Sequence, residues 1–75
     1  MNNALEISDL VREVRQRLGL TQEQFASRLG VTFPTVNRWE KGRSKPSGMA
    51  RKLLAEMVRQ MGSKGEDLLV KYFLD

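Results

Sequence analysis

An amide, a guanidinium and an ammonium group lie close together in the sequence, at Asn37, Arg38 and Lys41. At about 100° per residue, these three side chains share one side of a helix with Phe33 and Pro34. Such polar groups hydrogen-bond to base edges in the DNA major groove, and an apolar ring can contact the thymine methyl group. Ordinary solvated helix faces have a similar composition, so this pattern has to be weighed together with the elements around it.

The residue types that most often carry catalysis or bind metals are missing or scattered. The 75 residues include no cysteine and no histidine, which excludes thiol and imidazole nucleophiles, disulfides and the usual zinc ligands. The acidic residues are dispersed, and the sequence contains no glycine-rich phosphate loop. The composition therefore predicts a protein that is not an enzyme and that needs no metal or cofactor.

The candidate binding face belongs to the second of two short helical segments that are separated by a tight turn. A capping box of Thr21 and Gln24 starts the first segment, and Gly30 suits its end. Thr32 can cap the second segment, and Gly42 can end it. Two helices joined so closely have to cross steeply, which is the helix-turn-helix pattern.

The two aromatic residues of the second segment have different predicted environments. Trp39 is in phase with Val36 on the inner side, which favours core packing over stacking on single-stranded nucleic acid. Phe33 lies on the outer side, where its ring could meet a thymine methyl group. The ring could also fold back over the turn, because a residue before proline is disfavoured in the α region. The pattern leaves both positions of the Phe33 ring open.

The formal net charge of +4 is concentrated in the middle of the chain. Residues 38–59 carry seven lysine and arginine residues against two glutamates, whereas residues 1–37 are balanced. A purely solubilising surface would be spread evenly, but this basic block follows the candidate binding helix, where DNA phosphates would lie. The sequence shows neither a signal peptide nor a membrane-spanning run, so we expect a cytoplasmic location without membrane contact.

The N-terminal pattern adds a helix in front of these two segments. Residues 1–6 are expected to be frayed, Ser8 to cap this helix and Gly19 to end it. Its apolar residues, Leu10, Val11, Val14 and Leu18, lie on one face. Residues 1–75 then form a single all-α domain.

Two more helices are predicted after the basic loop. Ser47 can cap a fourth helix with a broad apolar stripe, which consists of Met49, Ala50, Leu53, Leu54, Met57, Val58 and Met61. A second capping box, Ser63 and Glu66, would open a C-terminal helix over residues 63–75. The apolar residues of this last helix exceed what the end of a domain requires, so some could close the core and others could meet another subunit.

Together these segments resemble the lambda-repressor-like helix-turn-helix family, also called the xenobiotic-response-element family. The resemblance is carried by Leu18-Gly19-Leu20-Thr21-Gln22, Phe25-Ala26, Leu29-Gly30-Val31 and Trp39-Glu40-Lys41-Gly42. It implies a compact five-helix DNA-binding domain in which helices 2 and 3 form the helix-turn-helix. One position departs from the family pattern, since Pro34 stands where a polar base-contacting side chain is common and proline offers no donor.

The pattern and the resemblance together assign roles to individual residues. The base-reading set is Thr32, Phe33, Pro34, Asn37 and Arg38. The phosphate-binding set is Gln22, at a helix N-terminus that attracts anions, and the loop residues Lys41, Arg43, Ser44 and Lys45. In the family, an arginine like Arg15 commonly pairs with a glutamate like Glu40, which ties the first helix to the third.

These features predict a sequence-specific transcriptional repressor that binds double-stranded DNA with the helix around residues 33–41, the recognition helix. One such unit reads few base pairs, so we expect a homodimer on a palindromic operator with half-sites about 34 Å apart. The dimer-contact candidates are Leu69, Tyr72 and Phe73. The alternative is the antitoxin of a toxin–antitoxin pair, which would bind a toxin protein as well as its own operator.

Overall fold

The computed structural model describes residues 4–73, and these residues fold into five α-helices without any β-strand. The helices are α1 (Ala4–Arg17), α2 (Gln22–Leu29), α3 (Phe33–Glu40), α4 (Gly48–Gln60) and α5 (Glu66–Phe73), and a 3-10 turn (Gly62–Gly65) connects the last two. The molecule measures 28 × 26 × 19 Å along its principal axes. The predicted all-α, five-helix architecture is confirmed.

The apolar faces of all five helices pack together in a single core. Its buried members are Ile7, Leu10, Val11, Val14, Phe25, Ala26, Leu29, Val36, Trp39, Ala50, Leu54, Val58, Leu68 and Tyr72. Trp39 belongs to this core, as its helical phase with Val36 predicted. Burying one large apolar side chain contributes roughly 1.5–3 kcal/mol. A domain of this size therefore needs all five helices to fill one interior.

Local sequence signals set the limits of α2 and α3. The Thr21 hydroxyl accepts a hydrogen bond from the Gln24 N–H at 3.1 Å, and Gln24 Oε1 accepts one from the Thr21 N–H at 2.9 Å. At the start of α3, the Thr32 hydroxyl accepts the Thr35 N–H at 3.3 Å. These three hydrogen bonds satisfy amide groups that have no partner within the helix. The predicted capping box and the predicted N-cap are therefore confirmed.

Two glycines let the chain turn sharply on either side of α3. Gly30, after α2, and Gly42, after α3, both have a φ angle of 72°. This left-handed conformation is open to glycine because it has no Cβ atom. At the second turn, the Arg43 N–H donates to the Arg38 carbonyl at 2.9 Å, which closes the helix end. The two turns thus fix where α3 begins and where the basic loop leaves it.

The first helix begins earlier than the sequence predicted. α1 starts at Ala4, so residues 4–6 are helical rather than frayed, and Ser8 is a buried residue inside the helix rather than its cap. The cause is tertiary packing: Ile7 is buried in the core, and burial of an apolar face stabilises a helix more than a cap signal does. Residues 1–3 lie outside the described part of the chain.

The last helix begins later than predicted. Residues 62–65 form the 3-10 turn and α5 starts at Glu66, so Ser63 lies inside the turn and is not the N-cap of the helix. The turn packs closely against α4, because a Cβ atom on Gly65 would lie only 2.5 Å from the Val58 carbonyl oxygen. Glycine is needed for that approach. Residues 74 and 75 of the predicted helix lie outside the described residues.

The fourth helix has the predicted cap but a narrower buried face. The Ser47 hydroxyl accepts the Ala50 N–H at 3.2 Å. Leu54 and Val58 are buried in the core, but Met49 is 76% exposed and Leu53 is 43% exposed. The predicted stripe was too wide, because apolar residues occupy so much of the helix circumference that they cannot all face one side.

A single arginine ties the C-terminal helix to the first helix. Arg17 Nη1 and Nη2 bind the two carboxylate oxygens of Asp67 at 2.7 and 2.9 Å, and Nη1 also donates to the Lys64 carbonyl at 2.8 Å. The Nε atom binds Glu13 at 3.0 Å. The Arg17 hydrogen bonds lower the pKa of Asp67 from 3.8 to about 2. The 3-10 turn and α5 are thereby anchored to the end of α1.

Candidate nucleic-acid interface

The recognition helix α3 has a buried face and an opposite face exposed to solvent. Its buried residues are Val36, Trp39 and Glu40. On the outer face Pro34 and Arg38 are exposed, and the Phe33 side chain retains 44% of its accessible surface. A large apolar ring with this exposure is available to a partner molecule. Phe33, Pro34 and Arg38 thus lie on the exposed side, as their helical phase predicted, whereas Asn37 is half-buried.

The structure brings the predicted pair Arg15 and Glu40 together in a two-point contact. Arg15 Nε donates to Glu40 Oε2 at 2.7 Å, and Nη2 donates to Oε1 at 3.1 Å. Only 18% of the Arg15 side chain and 6% of the Glu40 side chain are exposed. The hydrogen bond to Glu40 is the main reason that the pKa of Arg15 is raised, and burial acts in the opposite direction. This planar contact fixes α1 to the last turn of α3.

Gln22 joins the same contact at the start of α2. Its Nε2 atom donates to Glu40 Oε1 at 3.0 Å, and its Oε1 atom accepts a hydrogen bond from Asn37 Nδ2 at 3.1 Å. Arg15, Glu40, Gln22 and Asn37, named here the Glu40 network, therefore connect α1, α2 and α3. Sequence reasoning assigned Gln22 to phosphate and Asn37 to bases, and it gave no indication that the two side chains touch.

Arg12 is a second arginine of α1 that holds α3, and it was missed at the sequence level. Its Nη1 atom donates to the main-chain carbonyl of Glu40 at 3.3 Å, while Nη2 binds Asp9 at 3.0 Å. The last carbonyls of a helix lack partners within the helix, so this contact satisfies one of them. The available signal was the spacing of Arg12 and Arg15, which places two cations on neighbouring positions of one helix.

Two predicted base-reading residues, Thr32 and Arg38, take part in a local hydrogen-bond cluster with Thr35. The Thr32 hydroxyl caps the helix and also lies 2.8 Å from the Thr35 hydroxyl. Arg38 Nη2 donates weakly to that Thr35 hydroxyl at 3.4 Å. Thr35 was not among the predicted site residues because its helical phase placed it beside the inner face. The cluster leaves the rest of the Arg38 guanidinium exposed on the outer face.

The predicted phosphate-binding loop follows α3 directly. Lys41, Arg43 and Lys45 are exposed and Ser44 is half-buried, whereas Pro46 at the end of the loop is buried. The main-chain bond from Arg43 to the Arg38 carbonyl ties the loop to the last turn of α3. Three cations therefore extend from the end of the recognition helix along one short segment, an arrangement suited to neighbouring backbone phosphates.

The three predicted dimer-contact residues differ in their exposure. Tyr72 is only 8% exposed and lies in the core of its own chain, whereas Leu69 and Phe73 pack partly against that core. Tyr72 therefore has little surface left for a second subunit. The exposed apolar residue of α5 is Val70, with 61% of its surface accessible. Its position on the helix side opposite Leu68 and Tyr72 explains the difference.

Residues 4–73 contain neither a metal-binding cluster nor a membrane-spanning helix. Within this range no group of three or more acidic, cysteine or histidine residues is placed to hold a metal ion. None of the helices in the same range has the length and hydrophobicity needed to cross a membrane.

An amphipathic, capped helix pair with an exposed polar helix and a basic loop defines a DNA-binding domain of the helix-turn-helix class. The family model described as helix-turn-helix (HTH_3) matches residues 11–58, and the chain belongs to this lambda-repressor-like family. This family membership agrees with the resemblance that the sequence carries.

Curated relatives share this unit to different extents. An uncharacterized HTH-type transcriptional regulator of Methanothermobacter thermautotrophicus is 58% identical over 38 residues, 51% of this chain and 55% of that protein. A second protein with that description, from Archaeoglobus fulgidus, is 35% identical over 60 residues, 80% of this chain and 81% of its own length. The type II methyltransferase M.SsoII of Shigella sonnei is 38% identical over 53 residues, 67% of this chain.

The chain spans about half of the Methanothermobacter regulator and only 14% of the methyltransferase. The similarity to the enzyme is therefore confined to the helix-turn-helix region. No solved structure matches the chain significantly.

Proposed function

We propose that this protein is a sequence-specific transcriptional repressor that inserts α3 into the major groove of duplex DNA. The observation that carries the proposal is the outer face of α3, where the exposed Phe33 and Arg38 lie beside a loop of exposed cations. The Glu40 network supports it, because a helix held from α1 and α2 can keep its outer side chains in a fixed position. Direct readout of bases requires such a fixed position.

In this proposal Thr32, Phe33, Pro34, Asn37 and Arg38 face base edges, and Lys41, Arg43, Ser44 and Lys45 bind phosphates. The exposed Phe33 ring favours a thymine methyl group, and Pro34 contributes no hydrogen bond at its position. Each phosphate neutralised by a lysine or arginine adds roughly 0.9 to the slope of log affinity against log salt. Selection of sites from random duplex DNA, followed by salt titration, tests the proposal. Equal affinity for single strands, or a flat salt response, would count against groove binding.

The proposed operator is palindromic and is bound by a homodimer. The exposed Val70 supports a contact through α5, together with the half-buried Leu69 and Phe73. Changing Val70 to Glu should prevent two copies from loading cooperatively on a paired site, whereas Val70→Thr keeps the branched shape and should have a smaller effect. Mass in solution and stoichiometry on DNA are the measurements. Undiminished cooperativity in Val70→Glu would exclude this dimer surface.

The antitoxin alternative adds a toxin protein to the same DNA-binding domain. The exposed Met49 and Leu53 on α4 provide apolar surface that a protein partner could cover. A toxin gene beside the gene for this protein, and release of the toxin's growth inhibition when both are produced, would support the alternative. If there is no such toxin gene, the repressor proposal is unaffected. A cytoplasmic location is part of both proposals.

A further inference from the structure

The side chains of the Glu40 network form a continuous path from the interior to the outer face of α3. Arg15 occupies both carboxylate oxygens of Glu40, and Gln22 Nε2 adds a third donor at 3.0 Å. Gln22 Oε1 then accepts from Asn37 Nδ2 at 3.1 Å. Glu40 is buried, whereas Gln22 and Asn37 are half-buried.

The direction of every hydrogen bond along this path follows from the first one. A carboxylate paired with a guanidinium can only accept hydrogen bonds, so Gln22 must turn its NH2 group toward Glu40. The Gln22 carbonyl oxygen then has to face Asn37. Asn37 must therefore donate a hydrogen bond to this oxygen from its own NH2 group. A flip of either amide would oppose two acceptor oxygens. Glu40 therefore determines the orientation of an amide with which it has no direct contact.

This orientation decides what Asn37 can offer to DNA. One of its two N–H groups is used by Gln22, which leaves the second N–H and the Oδ1 atom. Within residues 4–73, no protein group donates a hydrogen bond to that Oδ1 atom. Asparagine pairs with adenine through one donor, to N7, and one acceptor, from the N6 amino group, and the Asn37 amide retains one of each.

We propose that Gln22 is a positioning residue that holds the Asn37 amide in the orientation that reads adenine, with the Glu40 carboxylate setting that orientation. The inference rests on the proposed function, because it assumes that α3 enters the major groove. It gives Gln22 a part in base specificity in addition to the phosphate contact expected from its place at the start of α2. Asn37 becomes a specificity residue whose preference depends on a residue of another helix.

Site selection from random duplex DNA with three matched variants tests the proposal. Asn37→Ala should identify the base position read by Asn37, through a loss of about tenfold or more in discrimination at that position only. Gln22→Met keeps the length of the side chain and removes its amide. It should lower the adenine preference at the same position by a comparable factor while the other positions of the site keep their preferences.

Gln24→Met is the matched control, since Gln24 lies in the same helical turn and hydrogen-bonds only to Thr21 among the described contacts. It should leave the selected sequence unchanged. If Gln22→Met weakens binding to all sequences equally and leaves every base preference in place, Gln22 only contacts phosphate and the proposal is wrong. If Asn37→Ala loses one base preference and Gln22→Met keeps it, the positioning role is also excluded.

The proposed function and the positioning role of Gln22 would fail in different ways. If the wild-type protein enriches no sequence at all, the proposed function itself fails, and this inference with it. If the wild-type protein enriches a site and only the Gln22 result is negative, the proposed function stands.

Nuclear magnetic resonance of the wild-type protein provides a measurement that needs no variant to fold. The Asn37 Nδ2 protons should show contacts to the Gln22 side chain, and their absence would overturn the inference.

Discussion

The Glu40 carboxylate is nearly enclosed, with 6% of its side chain exposed, and its hydrogen-bond partners come from both α1 and α2. A buried charge is costly unless its lone pairs are satisfied, and here Arg15 and Gln22 supply three donors. At the level of single residues, this acidic side chain thus links the recognition helix to both α1 and α2. Two predictions concern residues at this scale.

The first concerns the pair itself. Arg15→Met and Glu40→Gln should each lower the free energy of unfolding by about 2–4 kcal/mol, because either change leaves a buried polar partner without compensation. The double variant should lose less than the sum of the two, with a coupling of about 1 kcal/mol or more. Urea unfolding of the four proteins measures this coupling. A coupling that cannot be distinguished from zero would mean that the contact does not stabilise the fold.

Substitutions of Arg38 and Arg43 should separate base contacts from phosphate contacts. Arg38→Ala should relax preference at one base position, a loss of about 1–3 kcal/mol in discrimination, and should affect non-specific binding less. Arg43→Ala should instead weaken binding to all sequences about equally and reduce the salt slope by about one. Site selection and salt titration on both variants are the measurements. The reverse result would show that α3 lies in the groove in a different orientation.

At the scale of secondary-structure elements, the turn between α2 and α3 sets where the recognition helix starts relative to the preceding helix. Gly30 has a φ angle of 72°, and an alanine there would have to adopt the left-handed conformation. No steric clash would hinder the substitution within residues 4–73, since none of their atoms beyond the two chain neighbours lies within 4 Å of an added Cβ. The change in the free energy of unfolding therefore reports the cost of the left-handed backbone conformation alone.

Gly30→Ala should lower the free energy of unfolding by about 1–2 kcal/mol, because that conformation disfavours any residue with a Cβ atom. Gly48→Ala is the matched control: Gly48 starts α4, has no positive φ angle and also has open space around it. It should be neutral or slightly stabilising, by up to about 1 kcal/mol. Chemical denaturation measures both. Equal losses in the two variants would show that φ at Gly30 is not the constraint.

At the scale of the whole molecule, α5 is connected to α1 through the exposed ion pair of Arg17 and Asp67 as well as through the core. The Arg17 hydrogen bonds hold the pKa of Asp67 at about 2, below its ordinary 3.8. Ionised Asp67 is therefore favoured in the folded state. Its contribution to stability is complete above pH 3.8 and is lost as the pH falls through about 2.

Asp67→Asn should consequently melt at a lower temperature than the wild type at pH 7, and the difference should shrink as the pH falls from about 4 to about 2. Added salt should also reduce the difference at pH 7, because the pair is exposed to solvent. Glu66→Gln is the control in the same first turn of α5. Thermal melts across pH test the idea, and a difference that stays constant down to pH 2 would contradict it.

The sequence by itself determined most of the helix-turn-helix. Thr21, Gln24 and Thr32 predicted the helix starts, and Gly30 and Gly42 predicted the ends, all in agreement with the structure. These signals are local: a cap or a left-handed glycine acts on the backbone within a few residues. The family resemblance and the basic block likewise needed no tertiary information, since both are properties of residue order.

Tertiary structure decided which surfaces meet. Packing of Ile7 extended α1 beyond its predicted start, and Met49 is exposed because the apolar residues of α4 cannot all face one side of the helix. Tyr72 is buried rather than available to a second subunit, because α5 rotates that side toward the core. The contact of Gln22 with Asn37 joins residues 15 positions apart on different helices. Helical periodicity gives the direction of each side chain on its own helix, but its partner depends on how the helices pack.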